Sequence, residues 1–139
     1  GVKFYNYSIA SSPSRTIAGL NSFKHKVILI AGGYDKKIPY DVMGEVLVNK
    51  VKCLVLIGQT APKIEQALMK EIDRTGKGED IPVIHCQTIR EAVEKAYNFA
   101  KSGDIVIMSP ASASFDMFKN FEERGKQFKD IVNSLETKS

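Results

Sequence analysis

Four short, nearly continuous apolar runs restrict how this chain can fold more than any other feature. They read KVILIA, KCLVLIG, IPVIHC and DIVIM, at residues 26–31, 52–58, 81–86 and 104–108. A strand buried on both faces has this pattern, whereas a strand with one face in water alternates apolar and polar residues. Each run is far shorter than the roughly 20 apolar residues of a membrane-spanning helix. The runs therefore predict central strands of a covered sheet, and no membrane association.

Amphipathic segments separate these runs and supply the cover. A further strand is predicted at residues 2–6, and helices are predicted at residues 12–23, 40–48, 60–72, 88–101 and 115–135. Thr88 and Glu91 have the spacing of a capping box, and Ser12 and Thr60 are expected to cap their helices with their side chains. Strand and helix thus alternate five times. This order predicts an α/β fold, a three-layer α-β-α sandwich around a mainly parallel, Rossmann-like sheet of about five strands.

Composition argues against several classes of function. A chain of 139 residues is one domain, and we expect no boundary within residues 1–139. The net charge of +4 comes from interspersed residues without the basic tract of a nucleic-acid-binding protein. Cys53 and Cys86 lack the spacing of a metal site or a disulfide framework, so we expect buried thiols in a cytoplasmic protein. We therefore expect neither bound nucleic acid nor a protein-held metal.

The predicted sheet also indicates where a ligand would bind, because ligands of such sheets lie beyond the carboxyl ends of the strands. The segments expected there are residues 6–13, 32–38, 58–62 and 109–115. The serines of the first segment and the Gly-Gly and Lys-Lys pairs of the second suit an anionic ligand, but both also fit an ordinary helix cap or tight turn. The fourth segment, SPASASF, combines small residues with hydroxyls at the end of a buried strand.

The helix predicted after this fourth segment has apolar residues at spacings of three and four. Lys119, Asn120 and Arg124 are expected on its more exposed faces. Gly125 inside the helix costs about 1 kcal/mol relative to Ala, which indicates close packing at that point. The sequence around Gly76-Lys77-Gly78 lacks the remaining residues of a phosphate-binding loop, so this chain carries no usual means of holding a triphosphate.

Three segments of the chain resemble segments of one known protein family. SPASASFDMFKNFEERGKQF, at residues 109–128, closely resembles the end of the C-terminal domain of the Mur ligases, and most closely that of the members that add D-glutamate. GVKFYNYSIASSPSRTIAGL, at residues 1–20, is similar to a strand of the family's domain, its Asp-Ser loop and the helix that follows. ILIAGGYDKKIPY, at residues 28–40, is similar to its glycine-lysine turn. The resemblance thus covers essentially the whole chain.

The resemblance implies an ATP-dependent ligase of bacterial peptidoglycan synthesis that joins D-glutamate to UDP-N-acetylmuramoyl-L-alanine through an acyl phosphate. It implies that residues 1–139 are the amino-acid-binding domain of a three-domain enzyme. ATP and Mg²⁺ would then be held mainly by a central domain outside this chain, beside a further N-terminal domain. Because the chain begins with Gly1 and lacks a phosphate loop, we expect a segment of a larger protein, inactive as a ligase when isolated.

The resemblance also implies roles for particular residues. D-glutamate is expected to contact Ser114, Phe115, Phe121, Lys119 and Ser11. ATP or its phosphates are expected close to Lys36, Ser8 and Tyr7. The resemblance assigns no catalytic residue to this domain. Tyr7 and Ile9 stand where many members have an aspartate and a lysine.

Two other interpretations remain open from the sequence. The chain could belong to a neighbouring Mur ligase that adds a different amino acid. It could also be a stand-alone module that binds a small ligand.

Overall fold

The structure, a computed structural model, describes residues 1–114 and 117–138, with side chains described up to residue 135. Strands and helices alternate along the chain as the sequence predicts. They are β1 (Lys3–Asn6), α1 (Pro13–Asn21), β2 (Val27–Ala31), α2 (Gly44–Lys50), β3 (Val51–Leu56), α3 (Ala61–Thr75), β4 (Val83–His85), α4 (Ile89–Phe99), β5 (Ile105–Met108) and α5 (Phe121–Lys138). A short 3₁₀ helix, Asp41–Met43, precedes α2.

The five strands form one parallel sheet in the order β1-β5-β2-β3-β4. Strand β5 is inserted between β1 and β2, so the order of the strands reverses there. Open α/β sheets bind ligands beside such a reversal, beyond the carboxyl ends of the strands. The topology therefore directs attention to the loops that follow β1, β2 and β5.

Side chains alternate between two cores, one on each face of the sheet. Along β2, Val27 and Leu29 pack with α1, α2 and α3, whereas Ile28 and Ile30 pack with α4 and α5. All five residues of this strand are buried, which explains why its sequence is continuously apolar. The predicted three-layer α/β fold is confirmed.

The predicted N-cap residues stand at the starts of their helices, but only one of three makes the side-chain capping bond. Thr88 accepts a hydrogen bond from the Glu91 amide at 3.1 Å, as predicted for α4. Ser12 and Thr60 are the N-cap residues of α1 and α3, as predicted, but neither side chain makes a capping bond. Helix α3 also continues to Thr75, beyond its predicted end at residue 72, and stops where Gly76 takes a left-handed conformation at φ +71°.

The last helix starts later than predicted, at Phe121 rather than near residue 115. The Asn120 side chain accepts a hydrogen bond from the Glu123 amide at 2.8 Å, which is the bond of an N-cap residue. Before it, the Ser114 carbonyl accepts bonds from the amides of Met117 and Phe118 at 3.1 and 2.8 Å. Asn120 therefore caps the helix instead of lying on one of its faces.

Both cysteines are buried and free, as predicted. Burial raises the pKa of each thiol to about 11, so the thiols stay protonated at neutral pH. Within the described residues, no helix is both long enough and apolar enough to span a bilayer.

Candidate functional site

A cleft of about 370 Å³ opens beside the reversal of strand order. Its walls come from the loop after β1, the start of α1, the turn after β2 and the start of α5. We call its lining residues the rim: Ile9, Ser11, Ser12, Arg15, Lys36 and Phe121. This volume lies near the lower end of the range for small-molecule sites, roughly 300–1,000 Å³. The rim carries two cations and no carboxylate, which suits a small anionic ligand.

At the same end of the sheet lies a set of buried polar side chains, which we call the floor. The floor consists of Ser8, Tyr40, Thr60, Ser112 and Arg124, each exposed by 5% or less. The Ser112 hydroxyl lies 2.7 Å from the Thr60 hydroxyl and 2.9 Å from the Tyr40 hydroxyl. Among the described residues, no buried side-chain nitrogen or oxygen lacks a hydrogen-bond partner. The floor therefore avoids the penalty of unsatisfied buried polar groups.

Arg124 joins three chain segments in the floor. Its guanidinium donates to the Ser8 carbonyl at 2.7 Å, the Ser112 carbonyl at 2.8 Å and the Ser8 hydroxyl at 3.1 Å. It also reaches the Ser11 hydroxyl of the rim, at 3.3 Å. The planar fork of an arginine can serve several acceptors at once. Arg124 thereby fixes the loops after β1 and β5 against α5.

Close packing between α5 and the loop after β1 depends on Gly125. A Cβ atom at this position would lie 3.1 Å from the Ser8 Cβ and 3.3 Å from the Asn6 amide nitrogen. Asn6 in turn donates to the Gly125 carbonyl at 2.9 Å. The close contact that Gly125 indicates in the sequence is thus with the floor, at Ser8.

The turn after β2, which carries Lys36 to the rim, is held by the carboxylate of Asp35. The Asp35 carboxylate lies 2.8 Å from the Lys63 ammonium and accepts the Lys37 amide at 2.8 Å. The hydrogen bond from Lys63, followed by that from the Lys37 amide, lowers the pKa of Asp35 below its ordinary value of 3.8. Asp35 is thus bound to Lys63 and Lys37, and it leaves the neighbouring Lys36 charge uncompensated.

The paired glycines of this turn allow the backbone to approach a neighbouring loop more closely than a side chain would permit. Gly32 has φ +112°, and a Cβ atom there would collide with the Ile57 carbonyl. The Gly33 amide donates to the Thr60 hydroxyl at 3.0 Å. The glycines therefore form a tight turn against the loop after β3. A tight turn is one of the two interpretations that the sequence left open, beside contact with an anionic ligand.

Comparison with known proteins identifies the family. Residues 1–112 match the model of the Mur ligase glutamate ligase domain. The chain belongs to the Mur ligase family. It is 74% identical over 136 residues to the UDP-N-acetylmuramoylalanine--D-glutamate ligase of Acetivibrio thermocellus, an alignment that covers 98% of this chain and 29% of that protein.

Further relatives of the same name extend the comparison. The chain is 62% identical over 135 residues to the protein from Ruminiclostridium cellulolyticum and 56% identical over 135 residues to one from Clostridium botulinum. Each alignment covers 97% of this chain and 29% of the relative. The chain thus spans less than a third of the length of the Mur ligases it matches.

The structure brings together three of the residues that the Mur ligase resemblance singles out. Ser11, Lys36 and Phe121 line the same cleft, although they are widely separated in sequence. Phe121 is 39% exposed, so its ring is accessible to a ligand. Lys119 is also exposed, in the turn before α5.

The remaining predicted residues lie elsewhere. Ser8 belongs to the floor, and its hydroxyl donates to the Phe121 carbonyl at 2.5 Å and accepts from Arg124. The Tyr7 ring packs beside α1, with Gly19 and Phe23 as neighbours. Ser114 is buried at the end of the loop after β5. Phe115 lies outside the described residues.

Sequence reasoning missed the floor, and it assigned Arg124 wrongly to an exposed face. Arg124 is only 1% exposed. Its spacing of four from Phe128 and eight from Val132, both buried, was a signal for the inner face of α5. Arg15 of the rim was also missed, since an exposed arginine at a helix start has no distinctive sequence pattern.

No cluster of three or more His, Cys, Asp or Glu residues within 1–114 and 117–138 is placed to hold a metal ion. The rim offers hydroxyls, two cations and an aromatic ring, which are groups that can hold and orient a small anion.

Proposed function

We propose that this chain, residues 1–139, is the amino-acid-binding domain of a cytoplasmic, ATP-dependent ligase that joins D-glutamate to UDP-N-acetylmuramoyl-L-alanine. The observation that carries this proposal is the rim. Among the described residues, its lining combines two cations, Arg15 and Lys36, with two hydroxyls and an aromatic ring, and includes no acid. Such a lining suits a small dicarboxylic amino acid, because carboxylates bind best to charged and hydroxyl donors. The relatives are named as D-glutamate ligases, which supports D-glutamate as that amino acid.

The proposed reaction has two steps. ATP transfers its terminal phosphoryl group to the alanyl carboxylate of the nucleotide-linked substrate, which gives an acyl phosphate and ADP. The amine of D-glutamate then attacks the acyl carbon, the C–O bond to phosphate breaks, and the nitrogen loses a proton as the amide forms. In this scheme the chain holds the amino acid so that its amine meets the acyl phosphate, a contribution of position and orientation.

ATP and Mg²⁺ are part of the proposed reaction. The described residues include no cluster of side chains that fits a metal ion, so Mg²⁺ would be held outside them. The relatives are more than three times as long as this chain, which leaves room for the N-terminal and central domains that would hold ATP. Lys36 is the residue of this chain best placed to meet a phosphate, because it is exposed and its side chain bonds to no other described residue. By itself, the chain would not ligate.

The test is a ligation assay on the full-length protein that contains this chain. Phosphate release would be measured with UDP-N-acetylmuramoyl-L-alanine, ATP and one amino acid at a time: D-glutamate, L-glutamate, D-alanine, L-lysine or meso-diaminopimelate. We expect turnover with D-glutamate alone, and none from the isolated chain. Turnover with another of these amino acids, or none with D-glutamate, would contradict the proposal.

A further inference from the structure

The rim contains a cation whose role neither the fold nor the relatives' names explain. Arg15 lies in the first turn of α1, whose buried face is formed by Pro13, Thr16 and Leu20. Arg15 is exposed, so its side chain contributes little to that packing. It points instead to the cleft that it lines together with Lys36.

The position of Arg15 is electrostatically unfavourable for the folded chain. The amino-terminal end of a helix carries partial positive charge, which disfavours a cation in the first turn. Helix α1 has no acidic residue in its first turn. Helix α4, in contrast, carries Arg90 in its first turn next to Glu91. Arg15 therefore lacks the local compensation that the comparable arginine of α4 has.

No described group neutralises Arg15 from elsewhere in the fold. Its side chain makes no hydrogen bond or ion pair within residues 1–114 and 117–138. The other charged residue of the rim is Lys36, which adds positive charge instead of removing it. Asp35 precedes Lys36 in the chain, but its carboxylate pairs with the Lys63 ammonium at 2.8 Å. Two uncompensated cations thus face one small cleft.

The hydroxyls next to Arg15 are also available for a ligand. Ser12 is the N-cap residue of α1, but its side chain makes no capping bond and has only a 3.3 Å contact with the Ser14 hydroxyl. Ser11 is held in place by Arg124 at 3.3 Å, which leaves it a proton to donate. A carboxylate entering the cleft would therefore meet a guanidinium and hydroxyl donors on the α1 side, and an ammonium on the opposite side.

We propose that Arg15 is a specificity-determining residue that binds the side-chain carboxylate of the incoming amino acid. This inference rests on the proposed function and extends it, because it explains how the site prefers a dicarboxylic amino acid. The planar guanidinium can bind a carboxylate through two hydrogen bonds at once, which a lysine cannot reproduce.

The test compares two exposed arginines that each lie in the first turn of a helix. In the full-length protein, Arg15→Met and Arg90→Met each remove one exposed cation from the first turn of a helix, and only Arg15 lines the rim. We expect Arg15→Met to raise the KM for D-glutamate at least tenfold while kcat and the KM for ATP change less than twofold. Arg90→Met should leave all three constants within twofold, and Arg15→Lys should restore part of the affinity.

A second measurement separates carboxylate recognition from general binding. D-glutamine differs from D-glutamate in having an amide in place of the side-chain carboxylate. The wild-type preference for D-glutamate over D-glutamine, as the ratio of kcat/KM values, should fall at least tenfold in Arg15→Met. Thermal melting of both variants checks that they fold as the wild type does.

The outcomes distinguish this inference from the proposed function. A wild-type protein that uses D-glutamate, with an unchanged KM in Arg15→Met, overturns the role of Arg15 and leaves the function intact. An equal rise in KM for Arg90→Met overturns it as well, because the effect would then come from net charge. A wild-type protein that does not use D-glutamate fails the proposed function itself.

Discussion

The floor and the rim use the same kinds of side chain but in opposite surroundings. Ser8 and Arg124 of the floor are buried and bonded to each other, whereas Ser11 and Arg15 of the rim lie at the cleft. The two serines are three residues apart in the chain. Residue type alone therefore does not distinguish the structural groups of the floor from the groups that we propose bind a ligand at the rim. Burial and partners do, and both are set by which distant segments the fold brings together.

The largest difference between the two regions should appear when their arginines are replaced. Arg124→Met leaves the carbonyls of Ser8 and Ser112 without their buried donor, and each unsatisfied group costs about 1–3 kcal/mol. We expect a loss of roughly 3 kcal/mol in the free energy of unfolding. Urea denaturation followed by circular dichroism measures it.

Arg15→Met is the matched control for this change. It removes the same charged group from an exposed position, so the free energy of unfolding should change by no more than about 0.5 kcal/mol. Equal losses in the two variants would show that the distinction between floor and rim is wrong.

A single hydroxyl of the floor can be removed by Tyr40→Phe. This hydroxyl donates to the Ala111 carbonyl at 3.0 Å and contacts the Ser112 hydroxyl at 2.9 Å. Its loss should reduce the free energy of unfolding by about 1.5 kcal/mol, since the ring still fills its place in the core. Tyr97→Phe, on the opposite face of the sheet, is the control and should change stability by less than about 0.5 kcal/mol. A neutral Tyr40→Phe variant would mean that the floor's hydrogen bonds contribute little.

The packing of α5 on the floor is tested by Gly125→Ala. Alanine favours the helix by about 1 kcal/mol relative to glycine. The added Cβ would press against Ser8, which three hydrogen bonds to Phe121 and Arg124 hold in place, and such overpacking costs about 1–3 kcal/mol. We expect a net loss of about 1 kcal/mol in thermal or urea denaturation. A stabilised variant would show that the loop after β1 yields easily, contrary to a rigid floor.

The smallest effect is expected at Asp35, which orders the turn that carries Lys36. Its pKa lies below the ordinary value of 3.8, chiefly because Lys63 bonds to the charged form. The folded state therefore holds its proton less tightly than the unfolded state. The resulting stabilisation is complete above 3.8 and is lost as the pH falls through the lower pKa of the folded state.

Nuclear magnetic resonance titration of the Asp35 carboxyl carbon measures this pKa directly. We expect a midpoint below 3.8 in the wild type and a higher midpoint in Lys63→Met. A midpoint that does not respond to the loss of Lys63 would assign the lowered pKa to the backbone of the turn instead.

Local sequence patterns were sufficient to predict the sheet, because strands buried on both faces leave continuous apolar runs such as VILIA at Val27–Ala31. They were also sufficient for the cap at Thr88, although the Glu91 carboxylate accepts from the Gln87 amide instead of completing the capping box at the Thr88 amide. They were not sufficient for the start of α5. The spacing of apolar residues predicts a start near residue 115, but the capping bond of Asn120 places the start at Phe121.

The floor could not be predicted from local pattern at all. Tyr40, Thr60, Ser112 and Arg124 meet only because four loops and helices converge at one end of the sheet. The family resemblance assigned roles to Ser11, Lys36 and Phe121, and the fold places these three residues around one cleft. It did not indicate Arg15, whose proposed role rests on its place at the cleft and on the charges around it.

The most direct test of the central claim, that the rim binds a dicarboxylic amino acid, is a crystal structure of the full-length protein with D-glutamate and a non-hydrolysable ATP analogue. The account predicts D-glutamate in the cleft between Ser11 and Lys36, with one carboxylate within hydrogen-bonding distance of Arg15. D-glutamate in the neighbouring cleft of about 420 Å³, which is lined by Lys126 and Lys129 on the far side of Phe121, would contradict it.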